Sequence, residues 1–204
     1  MRLYSERNMP NAHRVLMLLR EKAFDIEIVE LDIKAGTNKS PEFLAINLLG
    51  QVPALQLDDG TCIAESLPIC RYLDAVSGGT SLFSATPEAR AVIEMWERRA
   101  ELGLFIPAVE YGHHTQPMFR GYFEQYPDWG NSLMGTVESC LALFDDRLAQ
   151  TAWLGGDEFS IADVTAFCGY RVAVFWKMPL GNALNVMSWA DRMNARPCTD
   201  VIPR

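Results

Sequence analysis

No run of this 204-residue chain is apolar for long enough to span a bilayer, and its opening segment MRLYSERNMPNAHRV carries charge at Arg2, Glu6 and Arg7, where a secretory leader needs an unbroken apolar core. A cytoplasmic protein with no membrane partner is the expectation. Basic clusters are missing too. With 18 Lys and Arg scattered against 26 Asp and Glu, the net charge is -8, and no segment offers a surface for a polyphosphate, which argues against a nucleic-acid partner. Cysteine is scarce: Cys62, Cys70, Cys140, Cys168 and Cys198 are odd in number and widely spaced, which suits neither a disulfide framework nor paired zinc ligands. Cys140 and Cys168 fall in apolar helical patterns and are expected to pack as small buried hydrophobes. The adjacent His113 and His114 diverge on a helix with no acidic partner expected nearby, so no metal site is expected. Internal repeats, charge blocks and low-complexity tracts are also absent.

What remains is an ordinary globular composition, 49% hydrophobic and 22% charged, enough for one large domain or two small ones. Arg2 to Tyr4 reads as a short strand. Asn11 to Glu21, entered through Pro10, reads as a helix because Val15, Leu16, Leu18 and Leu19 recur at helical spacing. Ile26 to Ile33 alternates as a second strand, and Pro41 opens a short helix after a polar loop. Val52 to Leu57 and Thr61 to Ala64 form a hairpin around Asp58-Asp59-Gly60, and Ser66 is expected to cap a closing helix. The order β-α-β-α-β-β-α implies a mixed four-stranded sheet with helices on its faces. Residues 1–77 form this first domain, 78–87 a linker rich in small residues, and 88–204 a second domain in which strand signals vanish: Glu88 to Gly112, Asn131 to Ala149, Ser160 to Lys177 and Ala183 to Asn194 read as helices. Ser160-Ile161-Ala162-Asp163 is a capping box flanked by Phe159 and Val164 at staple spacing, a stability element with no catalytic role.

Three pieces of the first domain have the residue types for chemistry. A proline at a strand start cannot donate to the ladder, so Gln51-Val52-Pro53 leaves the Val52 backbone free to pair with an extended peptide, most of all if the Val52–Pro53 bond is cis; a plain strand-entry proline is the blander alternative. Glu65-Ser66 places a carboxylate and a hydroxyl at a helix amino end, where they would grip an α-ammonium and an α-carboxylate, although a serine there is most often a simple cap. Asn11 sits where its amide and the helix dipole would favour a thiolate, against ordinary capping.

The motifs LYSERNMPNAHRV, SPEFLAINLLGQVPALQLDDG, ESLPICRYL and FSIADV, in this order and spacing, resemble a bacterial cytosolic glutathione transferase over nearly the whole chain. The resemblance implies a thioredoxin-like first domain, an all-helical bundle behind it, a cis bond before Pro53, a homodimer, and glutathione as cosubstrate with no metal. It further implies that Val52, with Gln51 and Pro53, binds the cysteinyl backbone, that Glu65 and Ser66 hold the γ-glutamyl end, and that Asn38 and Lys39, with Lys34 as a substitute, approach the glycine end. The thiol-activating residue departs from the better-known classes. Alpha, mu and pi enzymes use a tyrosine late in the first strand, theta-like enzymes a serine or threonine in the following turn, and beta-like enzymes a cysteine; none of these fits. Met9-Pro10-Asn11-Ala12-His13-Arg14 is similar to the nu-type pattern Thr-Pro-Asn-Gly-His-Lys, matching at Asn11 and not at Met9. Asn11 is therefore the expected activator, with Ser5 and Asn8 behind it. The acceptor pocket is expected between the domains, lined by Met9, Trp96, Arg99, Phe105 and Tyr111, although an aromatic stripe at helical spacing is more often core.

The resemblance thus points to transfer of the glutathione thiolate to a small hydrophobic electrophile. A second reading is glutathione-dependent disulfide or peroxide reduction, which needs no cysteine of the protein. A third, of another class, is a non-catalytic binding or regulatory module, since a shared fold does not settle function.

Overall fold

The structure, a computed structural model, describes residues 1–122 and 124–202. It forms two compact units, Met1–Ser81 together with the chain from Arg196 on, and Leu82–Ala195.

The first unit holds β1 (Arg2–Ser5), α1 (Pro10–Glu21), β2 (Glu27–Glu30), α2 (Pro41–Leu44), β3 (Ala54–Gln56), β4 (Cys62–Ala64) and α3 (Ser66–Ser77). The sheet order is β2-β1-β3-β4, with β1 parallel to β2 and antiparallel to β3, and β3 antiparallel to β4. Local chemistry accounts for the turns. Ser40 Oγ accepts from the Phe43 N–H at 3.2 Å to start α2, and Asp59 Oδ1 accepts from the Thr61 N–H at 2.9 Å in the β3–β4 hairpin. β2 is shorter than the alternation suggested because Asp32 turns the chain: its Oδ1 accepts from the Ala35 N–H at 3.0 Å and its carbonyl from the Thr37 N–H at 3.1 Å. Leu3 and Leu55 pair across the sheet and are fully buried, with Val15, Leu18, Ile69 and Leu73 also buried, while Tyr4 packs its ring on Phe43 of α2 at 5.7 Å.

The register sets the site. Tyr4 pairs with Ala54 and Ala54 with Ala64, so the end of β1, the start of β3 and the end of β4 lie at one end of the sheet. The turn into α1 and Glu65-Ser66 directly follow β1 and β4, and the Val52–Pro53 segment directly precedes β3, so all three adjoin that end of the sheet. At α3's other end Lys22 and Asp74 form an ion pair at 3.2 Å with side chains only 6% and 4% exposed; Ser81 Oγ donates to Asp74 at 2.6 Å and Lys22 Nζ to the Thr80 carbonyl at 2.8 Å. Residues Pro197–Val201 pack against α1, where Arg196 pairs with Glu21.

The second unit contains α4 (Pro87–Ala100), α5 (Ile106–Thr115), α6 (Pro127–Leu148), α7 (Ile161–Phe175) and α8 (Leu184–Asn194). The run expected as one helix from Glu88 is divided by a π-type turn over Glu101–Phe105. α7 packs there so closely that a Cβ on Gly169 would lie 2.9 Å from the Phe105 backbone. The capping box forms as read from the sequence, and it does more than cap. Asp163, fully buried, accepts from the Ser160 N–H at 3.1 Å, the Ser160 hydroxyl at 2.9 Å, the Leu154 N–H at 2.9 Å and Trp189 Nε1 at 3.0 Å. Burial raises the pKa of its carboxyl against the pull of those four donors. Cys140 and Cys168 are buried, as expected.

Candidate functional site

The entry to α1 is held by its own turn. Met9 is the residue before the helix and offers no side-chain cap, so the Asn11 N–H is one of the first turn's orphan donors. His13 Nε2 lies 2.7 Å from the Arg7 carbonyl and ties the turn to the helix. Asn11 does not cap: its Oδ1 accepts from Arg14 Nη2 at 2.6 Å and lies 3.5 Å from the Ser66 hydroxyl, while its Nδ2 has no acceptor among the described residues. That second contact joins the turn to the start of α3. Ser5 is fully buried, and its hydroxyl has no partner among the described residues. Asn8 is exposed and donates Nδ2 to Glu6 Oε1 at 2.7 Å.

The peptide bond between Val52 and Pro53 is cis, and neither the N–H nor the C=O of Val52 has a partner among the described residues. Gln51 precedes it, exposed, with its carbonyl accepting from Asn47 Nδ2 at 2.8 Å. Asn38 is buried and donates Nδ2 to the Gly50 carbonyl at 2.7 Å, and Lys39 Nζ lies 3.1 Å from the Leu49 carbonyl. The Gly50 backbone sits so close that a Cβ there would come within 2.7 Å of the Asn38 carbonyl. Asn38 and Asn47 thus clamp the loop that delivers Val52. Asn47 carried no motif signal in the sequence, because its side-chain partners, the Gln51 carbonyl and the Leu49 N–H, are backbone groups.

The corner after β4 corrects one expectation. Ser66 is the first helical residue of α3, not its cap; Glu65 holds the cap position at φ 66° and ψ 125° without a side-chain cap bond. A non-glycine residue there is strained by about 1–3 kcal/mol, and such strain collects where a side chain must be aimed. Glu65 is exposed and its carboxylate has no partner among the described residues, while Ser66 is 3% exposed and the first-turn N–H groups of α3 are orphan donors. An exposed anion beside a hydroxyl and a helix amino end is suited to an amino-acid head with both charges.

In the helical unit, Trp96 and Phe105 are 6% and 2% exposed and belong to the core, the role such a stripe more often has. Trp96 meets Phe144 edge-on at 6.2 Å, with the guanidinium groups of Arg99 and Arg147 at 4.6 and 5.2 Å from its ring centre. Arg99 is exposed and Tyr111 half-buried. The histidine pair has an acidic partner after all: Glu110 lies 3.4 Å from His113 Nδ1 and 3.4 Å from His114 Nε2, three and four residues earlier on α5. Burial lowers the His113 pKa and Glu110 offsets part of that. Among the described residues no three His, Cys, Asp or Glu are grouped so as to hold a metal ion. None of the described helices is long and apolar enough to cross a membrane.

Comparison with known proteins identifies the family and the fold. Residues 1–75 match the family described as glutathione S-transferase, N-terminal domain, and residues 127–176 the family described as glutathione S-transferase, C-terminal domain. Glutathione S-transferase 2 of Saccharomyces cerevisiae is 36% identical over 193 residues, 92% of this chain and 83% of that protein. The crystal structure of Gtt2 from the same yeast superposes with a TM-score of 0.91 at 35% identity, covering 98% of this chain and 99% of the other. A glutathione S-transferase domain-containing protein of Marinobacter aquaeolei gives 0.92 at 38% identity over 97% and 99%.

Proposed function

The chain belongs to the glutathione S-transferase family, and from that membership we propose that it is a transferase acting as a cytoplasmic homodimer, which ionises the glutathione thiol and delivers it to a small hydrophobic electrophile. The sulfur lone pair forms the new C–S bond, and the electrophile loses a halide or takes up a proton at the neighbouring carbon. Binding and positioning supply much of the rate, since a held nucleophile reacts as if highly concentrated.

The observation that carries this reading is the free Val52 backbone, which shares one end of the sheet with Glu65-Ser66 and the amino end of α1. An extended peptide adds to Val52 as a strand. Glu65 takes the γ-glutamyl ammonium; Ser66 and the orphan N–H groups of α3 take its carboxylate. The exposed Lys39 faces the glycine end, with Asn38 committed to Gly50. The sulfur lies at the amino end of α1, where Asn11 Nδ2 donates to the thiolate, a bond contributing roughly 1.5–3 kcal/mol. Ser5, enclosed, and Asn8, bound to Glu6, stand behind Asn11.

Calorimetric titration with glutathione and a thiolate-absorbance titration of the complex test the assignment. The bound thiol titrates below its value in water, and the value rises in Asn11→Ala. No binding at millimolar glutathione overturns the reading in favour of a non-catalytic module. Disulfide reduction stays as the second reading because all cysteines but Cys62 are buried, leaving glutathione as the working thiol; comparing disulfide turnover with conjugation of a chlorinated nitrobenzene separates the two.

A further inference from the structure

We infer that Arg14 is a positioning residue for thiol activation, holding the Asn11 amide in the orientation that turns Nδ2 toward the sulfur; the inference rests on the proposed glutathione chemistry. An asparagine amide is ambivalent: one edge accepts and the other donates, and a rotation of half a turn exchanges them at little intrinsic cost. Toward a thiolate the two edges have opposite effects. The Nδ2 edge donates and favours ionisation, and the Oδ1 edge repels it.

Arginine resolves the choice because it has five N–H donors and no acceptor. Only Oδ1 can face it. Arg14 Nη2 lies 2.6 Å from Asn11 Oδ1, while the Ser66 hydroxyl is 3.5 Å from the same oxygen and is left to the γ-glutamyl carboxylate. The arginine sets the orientation, since the serine hydroxyl can accept as readily as donate, and Nδ2 is left with no acceptor among the described residues. Arg14 is only 4% exposed, so water competes weakly for this bond. A charged donor on the amide oxygen also polarises the group and makes its N–H a stronger donor. Arg14 follows Asn11 by three residues on α1, so the same rigid turn carries both side chains. A purely packing role at a buried site is filled as well by methionine, without desolvating a cation.

The test is a thiolate titration of bound glutathione in the full chain, comparing wild type with Arg14→Met, Asn11→Ala and the double variant. Arg14→Met raises the pH at which the bound thiol ionises, so that the thiolate fraction below the midpoint falls about three- to tenfold, one pH unit being tenfold. Arg14→Lys, which keeps a charged donor, recovers part of the loss. KM for glutathione stays within about twofold of wild type while kcat falls, because the γ-glutamyl contacts are untouched. In the Asn11→Ala background Arg14→Met adds nothing further, since Arg14 acts through that amide. If Arg14→Met does not fold, Arg14→Gln, as ambivalent as asparagine, reads the same shift. A lowered wild-type value that Arg14→Met leaves unchanged, or an equal shift in the Asn11→Ala background, overturns this inference alone. A wild-type complex whose thiol titrates as in water overturns it together with the reading beneath it.

Discussion

Replacing Asp163 by alanine is expected to destabilise the helical unit far more than removal of an ordinary helix cap. A lost cap costs about 1 kcal/mol. Asp163, however, is fully buried and also receives the Leu154 N–H from the preceding loop and Trp189 Nε1 from α8. Truncation leaves those two donors and the Ser160 N–H without an acceptor, each at roughly 1–3 kcal/mol. Removing a carboxylate whose pKa burial already raises returns part of that sum, so the net loss is about 3–5 kcal/mol. Against a total stability of roughly 5–15 kcal/mol this is a large fraction. Ser160→Ala removes only the cap hydroxyl and costs about 1 kcal/mol. Urea unfolding followed by tryptophan fluorescence measures the difference, with Asp163→Asn falling between because its oxygen still accepts from one side of the cluster. If Asp163→Ala costs no more than Ser160→Ala, the carboxylate is not the hub that joins loop, α7 and α8, and the reasoning fails.

Three further outcomes follow from buried or strained groups. Asp74→Ala strands Lys22 in the interior and lowers stability by about 3–5 kcal/mol in a thermal or urea melt, and the apolar pair Lys22→Met with Asp74→Leu regains most of it. Glu65→Gly releases the backbone strain at φ 66° and raises stability by about 1 kcal/mol, while glutathione affinity measured by calorimetry falls at least tenfold; Glu65→Ala loses the affinity without the gain in stability. His113 has its pKa lowered by burial, so below its ordinary range near 6.5 the unfolded chain takes up a proton that the folded chain refuses. The stability held above that pH is lost as pH falls toward the folded value, and His113→Gln flattens this part of a pH series of unfolding midpoints.

Much of the architecture was legible because its signals are local. The Asp-Asp-Gly turn, the prolines opening α1 and α2, and the Ser160–Asp163 box each specify geometry within four residues, and the elements follow. The π-type turn over Glu101–Phe105 was hidden, since the chain stays helical through it and only the phase of the apolar stripe shifts, by about 100° for one inserted residue. Glu65's left-handed backbone was hidden for a different reason. Nothing in the string Ala-Glu-Ser separates a serine that caps from a serine inside the first turn; the difference is set by how β4 meets α3. Asn38 lies in the loop that the resemblance brings to the glycine end, but its amide is spent on the Gly50 carbonyl, a partner that sequence cannot name.

Two relations were written in the spacing and still passed over. Glu110 stands three and four residues before His113 and His114, where a helix brings side chains together, and the acid lies within 3.4 Å of both rings. Arg14 stands three residues after Asn11 under the same rule. A residue that touches substrate shows itself by type and motif, whereas a residue that orients it shows itself only through the first one's free valence. For an amide beside a helix start, the useful question is which neighbour fixes its oxygen, since that neighbour decides whether the amide presents a donor or an acceptor.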